Sequence, residues 1–293
     1  MVKKRLLVTG ASGLLGYAIC RQAMPAWEVY GVCHKGSIAV EGVTPIRADL
    51  TDKVHLADCF KQARPQAVIH AAALSQPNDC EQQPEVSEKI NLRAAVEIAG
   101  LCKTAAIPLV FTSTDLVFDG HHPPYTEEDP VFPICLYGRH KASAEKAIRK
   151  IYPDAAICRM PLMLGHAPGT GSGLLGHMVR TLRETQELTL FTDEVRTPVD
   201  TGSAARGLLM AIEKGGALLH LGGRRRMSRF SMGCLVADIL NADHALLKTM
   251  HIEDLPMPAP RSPDVSLNSE RAFAVGYVPE DIVAALEKMV PII

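Results

Sequence analysis

A doubly wound α/β fold, with a parallel sheet in its first half and a smaller C-terminal part, is predicted by three observations. Short apolar runs alternate with amphipathic stretches from residue 5 to residue 159. Gly10, Gly13 and Gly16 stand where the first apolar run gives way to the first helical pattern. After Gly165 the alternation stops, and a glycine-rich loop, "HAPGTGSG", opens a stretch of different character.

The elements follow in order. Residues 5–9, 28–33, 44–47, 67–70, 109–112 and 155–159 are short, rich in apolar and β-branched side chains, and read as strands. Helical patterns cover 14–24, 53–64, 84–105 and 137–151. Strands alternating with helices imply a parallel sheet covered on both faces by right-handed crossovers. Beyond the loop, "LLGHMVRTLRETQ" predicts a helix over 174–186, "LTLF" a strand over 188–191, and 201–216 a helix ending at Gly215-Gly216. A strand at 217–223, a helix at 228–241, a proline-rich link "LPMPAPRSP" at 255–263 and a capped amphipathic helix at 279–290 complete the chain. The expected division is a nucleotide-binding unit over 1–165, to which the chain returns near 190–215, and a mainly substrate-binding unit over 166–293.

Composition narrows the functional classes. The 293 residues are 47% hydrophobic, enough for a large core, and 31 basic residues balance 32 acidic ones. No overall field therefore favours nucleic acid or an anionic membrane, and any anion must be caught locally. No stretch of 18 apolar residues occurs, so a soluble cytoplasmic protein is expected. The eight cysteines are scattered singly, without CxxC or HExxH patterns, and read as reduced thiols with no metal site.

The glycine turn suits a phosphate. Glycines at a strand-to-helix junction make the tight turn, admit a pyrophosphate to bare backbone and let helix and strand pack closely, which is the Rossmann arrangement. Ser12, Leu14 and Leu15 belong to the same turn and are assigned to the same ligand. No Gly-Lys-Ser/Thr follows, so this is not a P-loop. The second strand ends in "GVCHKGS", with His34 and Lys35 where an NAD-binding turn carries an acid. A lysine there attracts a 2′-phosphate, so NADP(H) is favoured over NAD(H); the alternative is a lysine pointing into water. Asp49 and Leu50, closing the third strand, are placed to flank an adenine, though a plain loop carboxylate fits the spacing as well.

In "YGRHKASAEK", Tyr137 and Lys141 are four apart and share one helix face. With "FTSTDLVF" and the opening glycines, the pair resembles the extended short-chain dehydrogenase/reductase family. The resemblance implies Tyr137 as proton donor to a carbonyl oxygen, Thr114 as its second hydrogen-bond partner, and Lys141 holding the nicotinamide ribose and lowering the tyrosine pKa. It further implies that Ala71, Ala72 and Ala73, in "IHAAA", lie beside the pyrophosphate, and that Asn91 supports the lysine through water. These residue types suit the reaction, because a carbonyl accepting hydride builds charge on oxygen and needs a proton as it does so.

Within that family "STDLVFDG", "PYTEEDP", "RTPVD" and "RSPDVSLNSER" resemble the dTDP-4-dehydrorhamnose reductase branch, to which the regulatory β subunit of methionine adenosyltransferase is related. A nucleotide-sugar substrate is implied, with Thr114 and Asp115 near the sugar and Arg196 and Arg261 as candidates for its diphosphate. Either arginine could equally serve a structural ion pair. Leu116 and Leu162 depart from the branch, which tends to carry an aromatic and a tryptophan there, so the sugar pocket is altered. The expected activity is reduction of a keto sugar by NADPH; the alternatives are an epimerase or dehydratase of the same fold, or a non-catalytic NADP-binding subunit. A homodimer is compatible with the sequence. Replacing Lys35 with Glu is predicted to weaken NADP(H) binding roughly 10- to 100-fold, the loss of one charge-assisted hydrogen bond, with little change for NAD(H), as measured by fluorescence titration.

Overall fold

The structure is a computed structural model that describes residues 2–169 and 173–293; Thr170, Gly171 and Ser172 of the predicted glycine-rich loop lie outside the described residues. Strands β1 (Lys4–Thr9), β2 (Trp27–Cys33), β3 (Thr44–Arg47), β4 (Ala67–His70), β5 (Leu109–Thr114) and β6 (Ala156–Met160) fall where the apolar runs predict them. With a late strand, Leu218–His220, they form a seven-stranded parallel sheet in the order Leu218–His220, β6, β5, β4, β1, β2, β3. The strand order reverses between β1 and β4, and a crevice opens at the carboxyl ends of the strands there.

Side-chain alternation explains the two covered faces. Leu6 and Val8 of β1 pack with Ile19 of helix α1 (Leu14–Ala23) and Leu208 of helix Thr201–Ala211 on one side. On the other side, Leu7 packs with Leu56 of α2 (Lys53–Ala63) and Ile98 of helix Ala94–Ala105, and the same cluster takes in Ile148 of helix Leu136–Ile151. Strands buried on both faces need continuous apolar runs, which is what the sequence holds.

Three departures from the predicted elements have local causes. A six-residue helix, α3 (Pro77–Gln82), begins at a proline in the first helical position and is too short to show a hydrophobic period. The helix predicted over 84–105 is α4 (Pro84–Glu88), a π-helical turn (Lys89–Arg93) and α5 (Ala94–Ala105). β5 runs two residues beyond its predicted end because β6 pairs with it there, Ser113 opposite Arg159 and Thr114 opposite Met160.

Helix α6 (Leu136–Ile151) carries Tyr137, Lys141, Ala144, Glu145 and Ile148 along one buried stripe. In the second half, strands β7 (Met163–Leu164), β8 (Leu188–Phe191), β9 (Val195–Arg196) and β10 (Val199–Asp200) and helices α7 (Gly173–Arg183) and α8 (Thr201–Ala211) precede the late sheet strand, β11 (Leu218–His220). α8 ends before the predicted Gly215-Gly216, because the amides of Ile212, Glu213 and Lys214 each turn to the carbonyl three residues back. Strand β12 (Met227–Ser228) pairs with β9, and β13 (Leu247–Met250) lies parallel to β8. Helices α9 (Arg229–Leu240) and α11 (Ile282–Met289), with the short α10 (Glu270–Ala274) between them, complete the chain. Asp281 caps α11 through the amides of Val283 and Ala284. α7, β8, α9 and α11 share a separate apolar cluster that includes Met178, Leu190, Val236 and Leu286.

A Cβ added at Gly138 would lie 2.0 Å from the carbonyl oxygen of Leu116. Gly138→Ala is predicted to destabilise the fold by about 1–3 kcal/mol, as overpacking does when backbone must shift, seen as a lower urea midpoint at unchanged slope.

Candidate active site

A cleft of about 1040 Å³ runs along the carboxyl ends of the strands. Gly10, Ser12, Gly13, Leu14, Leu15 and Gly16 line it at one end, with His34 and Lys35 after β2, Asp49 and Leu50 after β3, and Ala71, Ala72 and Ala73 after β4. Gly10 has φ +70°, and a Cβ on it would stand 2.8 Å from Ala72 backbone; a Cβ on Gly16 would stand 2.0 Å from the Gly10 carbonyl oxygen. The Thr9 hydroxyl accepts hydrogen bonds from the amides of Ala71 and Ala72, both 3.2 Å, which leaves its own proton for Nδ1 of His70 at 2.7 Å. Burial, helped by the Lys141 charge, pushes His70 down to about 3, so the ring is neutral.

No side chain caps α1, whose N-cap is Gly13, so the first amides of the helix are left to the cleft. A crowded glycine turn below uncapped amides fits the pyrophosphate of a dinucleotide. His34 and Lys35 are exposed. Asp49 accepts from the amide and hydroxyl of Thr51 at 2.9 and 2.8 Å, which hold its carboxyl below the ordinary range and also serve the loop.

The proposed proton machinery gathers where β5 meets α6. The Thr114 hydroxyl donates to Asp115 Oδ1 at 3.1 Å and accepts from the Leu116 amide at 3.2 Å. Tyr137, in the first turn of α6, packs in a cluster with Cys80, Cys135 and Ala259, and both Thr114 and Tyr137 line the cleft. The start of α6 is held by Cys135 Sγ, which accepts from the Gly138 amide, and by Glu81, which accepts from the Leu136 amide at 2.7 Å.

Lys141 lies behind this surface, 1% exposed, with its Nζ 4.3 Å from the centroid of the Phe111 ring and without a hydrogen-bond partner. Burial pushes it down to about 7 against the pull of Glu145. Burial likewise pushes the Tyr137 phenol well up, and here the structure differs from the sequence expectation that Lys141 lowers it. An unpaired buried ammonium is costly, and a ligand offering hydroxyls would relieve it. Asn91 stands off the cleft, and its side-chain amide is engaged by the backbone of Leu74, at 3.0 Å in both directions, and by Ser87 at 3.1 Å.

The other end of the cleft is a buried charge cluster. Glu194, 2% exposed, meets Arg196, Arg229 and Arg261 at 3.1, 3.0 and 3.5 Å. Burial alone would raise its carboxyl, but Arg229 and Arg196 hold it down at about 2. Asp115 faces Arg196 at 3.4 Å, and burial carries it up to about 6 against that attraction. Arg196 also donates to the carbonyls of Val195 and Ser262, so most of its donors are engaged by protein. Arg261, by contrast, keeps an unpaired Nε. Sequence reasoning missed Glu194 and Arg229. Glu194 was within reach of it, as an acid two residues before an arginine already singled out, whereas nothing local marks Arg229 at the start of α9.

The parallel sheet, its glycine turn and a cleft along the carboxyl ends of its strands are those of a Rossmann-type dinucleotide-binding protein. The chain belongs to the RmlD substrate binding domain family, which it matches over residues 4–292. A probable low-salt glycan biosynthesis reductase of Haloferax volcanii, Agl14, is 31% identical over 261 residues, covering 87% of this chain and 86% of that protein. Methionine adenosyltransferase 2 subunit beta of Rattus norvegicus is 29% identical, with 89% and 78% covered. dTDP-4-dehydrorhamnose reductase of Mycolicibacterium smegmatis is 27% identical, with 95% and 82% covered. Among solved structures, dTDP-4-dehydrorhamnose reductase from Bacillus anthracis in complex with NADP superimposes with a TM-score of 0.87 at 20% identity, over 100% of both chains. UDP-glucose 4-epimerase of Thermus thermophilus complexed with NAD superimposes with 0.85 at 22%, over 98% of both; both structures speak for the fold alone.

Glu194 is held below its unfolded value, so its contribution to stability is complete above about pH 4.5 and is lost as the pH falls toward about 2. Glu194→Gln leaves three guanidinium groups without their shared carboxylate and is predicted to cost roughly 3–5 kcal/mol at neutral pH. In that variant the fall of stability between about pH 4.5 and 2, followed by urea unfolding, should flatten.

Proposed function

We propose that this protein reduces a keto group on a nucleotide-linked sugar with NADPH, as a reductase of the dTDP-4-dehydrorhamnose type. The observation that carries the reading is one continuous cleft with the glycine turn at one end, Thr114 and Tyr137 in the middle, and a cluster of three arginines around two acids at the other. The names of the reductase relatives support it. The residues from 166 onward that line the cleft, Glu194, Arg229 and Arg261 among them, form the substrate side.

A bound nicotinamide dinucleotide supplies the hydride. Tyr137 gives its hydroxyl proton to the carbonyl oxygen as charge builds there, and Thr114 turns its hydroxyl from Asp115 to make the second hydrogen bond. Lys141 gains hydroxyl partners from the ribose, which favours its charged form and in turn eases proton loss from Tyr137. Arg229 and Arg261 hold the diphosphate, while Arg196, with most of its donors already engaged, keeps the loops bearing Asp115, Glu194 and Ser262 in register. His34 and Lys35 favour NADP(H), since neither carries the negative charge that would repel a 2′-phosphate. Leu116, which follows Asp115 and lines the cleft, cannot move a proton, and this favours reduction over dehydration.

No helix among the described residues is long and apolar enough to cross a membrane. The cytoplasm is the proposed setting, where eight unpaired cysteines stay reduced.

NADPH absorbance should fall in step with product when a dTDP-linked 4-keto sugar is supplied. Tyr137→Phe should lower kcat by at least about 100-fold with NADPH affinity nearly unchanged. Turnover with catalytic cofactor and a constant NADPH signal would instead identify an epimerase or dehydratase; tight NADPH binding without turnover on any nucleotide sugar would identify a binding subunit.

A further inference from the structure

The proline-rich segment 255–263, which the sequence marks only as a link, borders the cleft as a strap. Pro260 and Arg261 line the cavity. The residues around Ala259, namely Leu255, Pro256, Pro258 and Pro260, are exposed, yet Ala259 itself is 1% exposed and packs in the cluster that holds Tyr137, Cys80 and Cys135. A small side chain between two prolines thus closes one wall around the proposed proton donor. Proline on both sides stiffens the backbone, so Ala259 and Arg261 move together.

The strap is anchored mainly at its C-terminal end, where the Pro263 carbonyl accepts from the Val195 amide at 2.7 Å and Arg261 meets Glu194 at 3.5 Å. On its C-terminal side, Ser262 Oγ donates to the Phe118 carbonyl at 3.2 Å and the Ser262 carbonyl accepts from Arg196 at 3.2 Å. Next to Tyr137 the holding bond comes from the opposite half of the chain: the Ala259 amide donates to Asn78 Oδ1 at 3.2 Å. Asn78 sits on α3, the short helix whose Cys80 also packs in the Tyr137 cluster and whose Glu81 accepts from the first amide of α6. One six-residue helix therefore touches the strap, the tyrosine wall and the start of the tyrosine's own helix.

We propose that Asn78 is a positioning residue that latches the strap, so that Ala259 seals the Tyr137 ring from water and Arg261 faces the anion end of the cleft. The role rests on the reading of Tyr137 as proton donor. It makes the two halves of the chain cooperate: with the latch closed, the arginine that meets the substrate and the wall that dries the tyrosine are set by one rigid segment. Asn78 itself touches neither substrate nor cofactor in this scheme.

Two readouts separate the latch from the reductase reading. The first needs no turnover. Peptide mapping after exposure to a small maleimide should show Cys80 and Cys135, which are 0% and 1% exposed, labelled at least about fivefold faster in Asn78→Leu than in the unmodified protein, because local opening governs access to buried groups. Asn78→Asp, which keeps the acceptor oxygen, should restore the slow rate. The second is kinetic: Asn78→Leu should raise KM for the sugar nucleotide about tenfold with KM for NADPH little changed, and Asn78→Asp should recover it. Unchanged labelling of both cysteines in Asn78→Leu would overturn the latch. Labelling that responds as described in a protein that oxidises no NADPH would leave the latch standing and remove the reductase reading. Should Asn78→Leu fail to fold, hydrogen exchange at the Ala259 amide of the unmodified protein decides: exchange slowed at least about tenfold relative to an unstructured chain supports the latch, and free exchange overturns it.

Discussion

At Gly138 the backbone of α6 comes against the carbonyl of Leu116 with no room for a side chain, and the middle of the cleft depends on that contact. Leu116 belongs to the turn that closes β5, and its amide is held by the Thr114 hydroxyl. Tyr137 precedes Gly138 directly, so the approach that excludes a Cβ is also what sets the phenol beside the end of β5. One helical turn further on, Lys141 reaches the ring of Phe111 from the same strand. Strand end, turn and helix therefore form one rigid body, and the side chains proposed to handle the proton inherit their spacing from backbone packing.

Electrostatics divides the cleft along the same line. Glu194 and Asp115 are both buried carboxyls, yet one is held at about 2 and the other carried to about 6. The difference lies in how many cations each meets. Three guanidinium groups converge on Glu194, which offsets its desolvation, whereas Asp115 has a direct ion pair with Arg196 and is opposed by the Glu194 carboxylate. Three arginines against two carboxylates leave the arginine end a positive balance suited to an anionic ligand, even with Asp115 ionised. In the middle, Lys141 is buried with its Nζ over the Phe111 ring and without a hydrogen-bond partner, and its charge is correspondingly fragile.

Much of the scaffold was legible in the sequence because its signals are local. The sheet strands of the first half are apolar runs whose both faces must be buried, and the glycine turn is needed wherever helix and strand approach within a Cβ of each other. Tyr137 and Lys141 share a helix face by spacing alone, and the glycine, alanine, β2-end and β3-end residues assigned to a dinucleotide all line the cleft. Less legible was what those side chains do once surrounded. Asn91 is engaged by the Leu74 backbone because a loop seventeen residues earlier folds over it. Arg196 is largely occupied by protein because Asp115, Glu194 and Ser262, from three parts of the chain, converge on it.

The sequence by itself therefore determined the six sheet strands of the first half, the helices α1, α2 and α6, the glycine turn and the chemistry-bearing residue types, since these follow from periodicity, turn requirements and spacing within a few residues. Only the tertiary structure decided the electrostatic state of those residues and the partners they serve. The charge cluster around Glu194, the depressed Lys141 and the strap over Tyr137 arise from desolvation and from contacts between segments as far apart as Asn78 and Ala259. Burial and the convergence of distant charges set such states, and neither is written in any local stretch of chain.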